Sequence, residues 1–234
     1  MHTTTIHPAG RSAAQWTRDV ISLFKLRIGV LIMITALVGM AVSPGPAPSL
    51  VQVLVLALSV LIASASAGAF NQYVEHESDR LMARTRKRAF ATGALPHHPA
   101  WLALMAVLLA GAVASAWLVL NAAAALYVFL GAFFYGVVYT LWLKRRTALN
   151  IVIGGLAGSF AVLAGAAAID PTLGPLPVLL ALVLFLWTPP HFWSLAIANK
   201  ADYAQAGVPM LPVVVGTERA ARIVLGSTVA LFVA

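Results

Sequence analysis

Long apolar runs almost free of charge constrain this chain more than any other feature. Six of them fall at roughly residues 26–43, 50–70, 100–120, 122–143, 149–169 and 176–198. Crossing a bilayer's hydrocarbon core takes about 20 helical residues, so each run is long enough to span. In lipid the backbone must satisfy its own hydrogen bonds, which leaves helices or closed barrels, and runs of this length are helical. The expected fold is therefore all-α: a polytopic membrane helical bundle. A seventh run opens near Arg222 and reaches only Ala234. Its roughly 12 residues would rise about 18 Å against a core of about 30 Å. The expectation is thus six full spans and a truncated seventh, with a C-terminal portion missing. By the same reading, residues 1–25 form a cytoplasmic N-terminal tail and 26–234 a single transmembrane domain.

Composition closes off the other classes. The chain is 61% apolar and 9% charged, whereas a soluble domain is about half apolar and a quarter charged. With no cysteine there is no thiol nucleophile, thiolate metal site or disulfide scaffold. The net charge of +8 could suggest nucleic acid, but the basic residues sit in short runs between spans and point to no nucleic-acid partner. The first 25 residues are too polar for a secretory signal, so the run from Leu26 is read as a retained span.

Orientation follows from where those basic residues fall. With the N-terminus inside and each run crossing once, all 15 Lys and Arg land in the inner segments. The outer loops, 43–49, the turn at Asn121 and 170–175, hold none. Six of the seven acids are also inside, so any polar chemistry belongs to the cytoplasmic face.

Three clusters on that face carry candidate chemistry. Asn71, Glu75 and Asp79 recur every fourth residue where the second span ends. On a helix this places an amide and two carboxylates on one face, with Glu77 on the other. Such a set suits a hard, oxygen-seeking ion such as Mg²⁺, which takes one or two carboxylates and fills its shell with water and phosphate. The plain alternative is a helix turning polar as it leaves the membrane. Arg84, Arg88 and their basic neighbours follow one to three turns later, where they obey the positive-inside pattern and could equally grip a diphosphate. Tyr139 with Lys144 and Arg145 closes the fourth span, and there too an interfacial tyrosine and a basic loop are the plain reading. Near the end of the sixth run, Trp187-Thr-Pro-Pro190-His191-Phe192 sets a proline pair, which should kink the helix, beside an intramembrane histidine. Asp202 follows, either a second metal-binding carboxylate or a solvated side chain. Gly154, Gly155 and Gly158 read as close helix contacts, His97 and His98 as loop residues, and His2 and His7 as part of the polar tail.

Together these motifs resemble the intramembrane aromatic prenyltransferase (UbiA-type) superfamily. The resemblance lies in Asn71-x₃-Glu75-x₃-Asp79-x₂-Met82-x-Arg84-Thr85-x₂-Arg88, Tyr139-Thr140-x₃-Lys144-Arg145 with Leu149-Asn150, Trp187-x₂-Pro190-His191-Phe192, and Asp202-Tyr203 followed by 207–214. The variant is closest to the heme-farnesylating branch (protoheme IX farnesyltransferase, or heme O synthase). The resemblance implies about nine spans around a cavity opening to the cytoplasmic face of a bacterial inner membrane. It implies farnesyl diphosphate and heme b as substrates and Mg²⁺ as cofactor, and it allows association with other heme-biosynthesis membrane enzymes. It also implies Asn71, Glu75, Asp79 and Asp202 as catalytic metal–diphosphate ligands. Arg84, Arg88, Tyr139, Lys144, Arg145 and His191 are implied as substrate contacts. The sequence departs from the family pattern at Ala198 and Ala201, where further acids are expected, and in lacking prolines after Gly158. Rival readings are a quinone-precursor or chlorin acceptor on the same fold, and a non-catalytic heme-binding or transport protein.

Overall fold

The computed structural model describes residues 12–233, and these contain helices and no strand. His2, His7 and Arg11 lie outside the described residues. Six helical stretches are long and apolar enough to cross a membrane: Ala13–Ala41, Leu50–Val74, Ala100–Val119, Ala122–Leu143, Asn150–Ala167 and Pro175–Ala198. They match the six runs read from sequence, except that the first begins inside the stretch taken as tail.

That first stretch is two helices. α1 (Ala13–Leu23) starts with a reciprocal capping box between Ser12 and Gln15. It ends where Lys25 takes a left-handed conformation (φ 48°), and α2 (Leu26–Ala41) begins there. The carbonyls of Ser22 and Leu23 at the break accept hydrogen bonds from Gln72 Nε2 at 3.2 and 2.9 Å. The break is thereby tied to α3 (Leu50–Val74).

Small residues set the packing, as expected where lipid competes for every apolar surface. A Cβ on Gly165 of α9 (Leu156–Ala167) would lie 1.8 Å from the Ala36 carbonyl of α2. One on Gly39 would lie 2.2 Å from the Val162 carbonyl, so the two backbones touch at both points. Hydroxyls stitch other crossings: Ser66 of α3 donates to the Met105 carbonyl of α6 (Ala100–Val119), and Ser159 of α9 to the Ala181 carbonyl of α10 (Pro175–Ala198). Large apolar side chains remain exposed on the other five spans, as a lipid-facing surface requires, whereas Asn150–Ala167 exposes only Ile153 and is the most enclosed of the six.

α10 continues through Pro189 and Pro190 to Ala198, as the sixth run read from sequence does. One feature has no counterpart in the sequence reading. The fourth span changes winding: α7 (Ala122–Phe133) continues as a π-helix over Phe134–Leu143. Short helices finish the polar end of the bundle. They are α4 (His76–Leu81), α5 (Ala89–Thr92), α8 (Asn150–Gly154), α11 (Lys200–Gln205) and α12 (Leu211–Val215), and α13 (Thr217–Val233) packs on α10.

Candidate active site

The helix of the second span breaks at Glu75, between α3 and α4, yet the acidic face survives the break. Glu75 N–H donates to the Asn71 carbonyl at 3.0 Å and Asp79 N–H to the Glu75 carbonyl at 2.8 Å, so the four-residue register continues. Asn71, Glu75 and Asp79 are all buried. Glu77 points away, its side chain 83% exposed against 1% for Asp79. The face read from spacing is therefore real, and it turns inward.

Burying carboxylates is costly unless a cation and hydrogen bonds compensate. Here each acid has its own cation from a different part of the chain. Lys144 Nζ meets both oxygens of Glu75, with 2.6 Å to Oε2. Arg88 Nη1 donates to both oxygens of Asp79 at 2.9 and 2.7 Å. Asn71 Oδ1 accepts from Lys25 Nζ at 2.7 Å, and its Nδ2 donates to Thr140 Oγ1 at 3.1 Å. The Thr85 hydroxyl donates to the Asp79 carbonyl at 3.0 Å, which folds the basic turn back onto α4.

The π-helix is what delivers Lys144. Tyr135 and Lys144 are nine residues apart, about two and a half α-turns, and an α-helix would set them on opposite sides. Winding with five-residue hydrogen bonds (Lys144 N–H to the Tyr139 carbonyl, 2.9 Å) brings both back to the face that meets α3. Tyr135 Oη lies 3.3 Å from Lys25 Nζ, and the rings of Tyr135 and Tyr139 stack with centroids 5.8 Å apart. Gly154 makes room for Tyr139, since a Cβ there would fall 2.8 Å from its ring. Gly155 likewise meets Thr188 closely, whereas Gly158 faces open space and is not a close contact.

The remaining residues singled out from sequence are spread more widely. Arg145 Nη2 donates to Ser78 Oγ at 3.1 Å on α4. Asp202 of α11 accepts from the backbone N–H of Arg84 at 3.3 Å, which brings the second acidic position to the turn that follows the first. His191 is exposed on α10, stacked on Trp187 at 4.3 Å, in a recess of about 210 Å³ shared with Thr228 and Leu231 of α13. Lys25 and Tyr135 are contacts that sequence reading missed. Lys25 counted only as one more inner-face charge, and nothing local marks where its side chain goes.

Among the described residues no three His, Asp or Glu side chains converge tightly enough to hold a metal unaided. The donors still suit a hard divalent ion. Asn71, Glu75 and Asp79 offer only oxygen, they are buried, and each already engages a cationic group. An ion that takes one or two carboxylates and completes its shell with water and phosphate oxygens fits that set.

A membrane-embedded helical bundle with a paired acid–base centre at one end defines a class, and the chain belongs to the UbiA prenyltransferase family, whose pattern matches residues 32–234. It is an integral membrane protein. Over 210 residues it is 59% identical to protoheme IX farnesyltransferase 2 of Paramagnetospirillum magneticum, covering 90% of this chain and 73% of that protein. It is 40% identical over 226 residues to the protoheme IX farnesyltransferase of Granulibacter bethesdensis, covering 97% and 69%. The fold is similar to a UbiA homolog from Archaeoglobus fulgidus bound to DMAPP and Mg²⁺, with a TM-score of 0.79 and 20% identity over 92% of this chain and 75% of that one.

Proposed function

We propose that the chain transfers a farnesyl group from farnesyl diphosphate to a vinyl side chain of heme b, with addition of water, giving heme O and diphosphate. The observation that carries this reading is the centre of two buried carboxylates and an amide, each matched to a cation from another element. Identity to two named protoheme IX farnesyltransferases supports the choice of donor and acceptor.

In this reading Asn71, Glu75 and Asp79, with Asp202 across the Arg84 turn, hold Mg²⁺ and through it the diphosphate. When bound, the ion offsets charge that builds on the leaving diphosphate. The protein's own cations share that task. Lys144 and Arg88 sit against the acids and exchange those partners for phosphate oxygens, while Arg84 and Arg145 lie at the exposed rim to receive the outer phosphate. Breaking the C1–O bond leaves an allylic cation whose charge spreads over three carbons. The Tyr139 and Tyr135 faces beside Lys144 and Lys25 can stabilise it by about 0.5–2 kcal/mol each. The heme vinyl group forms the new bond to C1, and water adds to the resulting cation and gives up a proton to the solvent, which leaves a hydroxyl. No enzyme nucleophile is required, in keeping with a chain that has no cysteine.

Residues 26–234 act as one transmembrane domain in the bacterial inner membrane, with the basic end and the site in the cytoplasm. His191 serves as a heme contact outside the ion-paired centre. The test is a product assay on membranes carrying the chain, supplied with heme b, farnesyl diphosphate and Mg²⁺, with extracted hemes weighed by mass spectrometry. A farnesylated, hydrated heme that disappears with EDTA and returns with Mg²⁺ is expected. A prenylated quinone precursor in its place would move the acceptor to a rival substrate.

A further inference from the structure

We propose that His97 is a positioning residue for the acidic face: it caps the Tyr73 carbonyl at the helix break and so holds Glu75 and Asp79 in register. This rests on the prenyl-transfer reading of that face. The break at Glu75 interrupts the helical ladder inside the very turn that carries the proposed ligands, and a carbonyl left without a donor there would loosen it. Instead the Tyr73 carbonyl receives two ring nitrogens, His97 Nε2 at 2.9 Å and His76 Nδ1 at 3.1 Å. A carbonyl only accepts, so the nitrogen that faces it in each ring carries the hydrogen and donates.

The ring of His97 lies between two others. It stacks on Tyr73 at 3.8 Å and 17° and on His76 at 4.0 Å and 30°, with the edge of Phe90 against it at 5.8 Å. Its backbone belongs to the loop leading into α6, a loop held by Trp101 Nε1 on the Pro96 carbonyl and by Leu95 N–H on the Ala89 carbonyl.

 The first of these bonds measures 3.1 Å, and the second, from the backbone of Leu95, 3.2 Å. His97 therefore couples a firmly held loop, 24 residues away in sequence, to the turn between Asn71 and Glu75. His76 cannot do this alone, because it belongs to the short helix whose position is at stake.

Three variants separate hydrogen bonding from packing. His97→Phe keeps a flat ring against Tyr73 and His76 but cannot donate. His97→Gln donates but cannot stack, and His97→Ala does neither. The first readout is hydrogen exchange of the segment 74–81 in lipid nanodiscs, which needs no turnover. Loss of one capping bond should speed exchange there by about five- to tenfold in His97→Phe and His97→Ala, with His97→Gln close to wild type. The second readout is the Mg²⁺ concentration for half-maximal prenyl transfer, expected to rise about three- to tenfold in the same two variants while the rate at saturating Mg²⁺ changes little. Wild-type behaviour of His97→Phe in exchange and Mg²⁺ response overturns the proposal, as does a failure of His97→Gln to rescue. If the wild type forms no prenylated product, the prenyl-transfer reading fails, and the exchange result still decides whether His97 holds the turn.

Discussion

Replacing Lys144 by methionine tests whether the acid–base centre is built from matched buried charges. The Lys144 and Glu75 side chains are 11% and 3% exposed, and the ammonium sits on both carboxylate oxygens. Methionine fills a similar volume but leaves Glu75 without its cation. Stranding one member of a buried pair costs about 3–5 kcal/mol, a large part of the roughly 5–15 kcal/mol that holds a typical domain together. At about 2–4 °C per kcal/mol for a chain of this size, the unfolding midpoint should fall by about 6–20 °C. The double variant Glu75→Leu/Lys144→Met removes both charges and should recover most of that loss, because an apolar pair in their place is often neutral or stabilising. Thermal unfolding in detergent, followed by tryptophan fluorescence, reads all three proteins, and a double-mutant cycle isolates the coupling. A single variant within about 2 °C of wild type would refute the reasoning, since about 1 kcal/mol is what an exposed pair contributes. A double variant as unstable as the single one would assign the loss to packing instead of charge. Both variants should lose prenyl transfer, so stability and activity separate only in the double variant.

Other expectations follow from single contacts. Asp79→Ala should reduce turnover at least about a hundredfold while insertion into the membrane persists, whereas Glu77→Gln, on the exposed side, should stay within about twofold by product assay. Arg88→Met removes the Nη1 that donates to both oxygens of Asp79, leaves that buried carboxylate without its cation, and should lose at least about tenfold in turnover by product assay. Gly165→Ala places a methyl against the Ala36 backbone and should lower the unfolding midpoint clearly, while Gly158→Ala, facing open space, should leave it nearly unchanged. The native chain has no cysteine, so single introduced cysteines report topology directly. An impermeant maleimide applied to intact spheroplasts should label Thr172→Cys and spare Lys87→Cys, and the reverse pattern would invert the proposed orientation.

Much of this protein is legible in its sequence because the decisive forces act along one helix at a time. Apolar length marks the spans, and they stand within a few residues of where the runs place them, apart from the additional helix at 13–23. The four-residue spacing of Asn71, Glu75 and Asp79 marks a shared face, and local hydrogen bonds preserve it even across the break at Glu75. The π-helix had no such signal. Nothing in Phe134–Leu143 distinguishes it from an ordinary apolar helix, yet its winding is what turns Lys144 toward Glu75.

Tertiary structure alone decided which partners those faces meet. Lys144 reaches Glu75 across 69 residues, Lys25 reaches Asn71 across 46, and His97 reaches the Tyr73 carbonyl across 24. In a soluble protein an apolar stripe on each helix would narrow the choice of neighbours. Here most spans are apolar on every side, so hydropathy fixes that they cross the membrane without saying which sides touch. That choice falls to features with no periodic signature: the bare backbone of Gly39 and Gly165, the single hydroxyls of Ser66 and Ser159, and the need of each buried carboxylate for a cation.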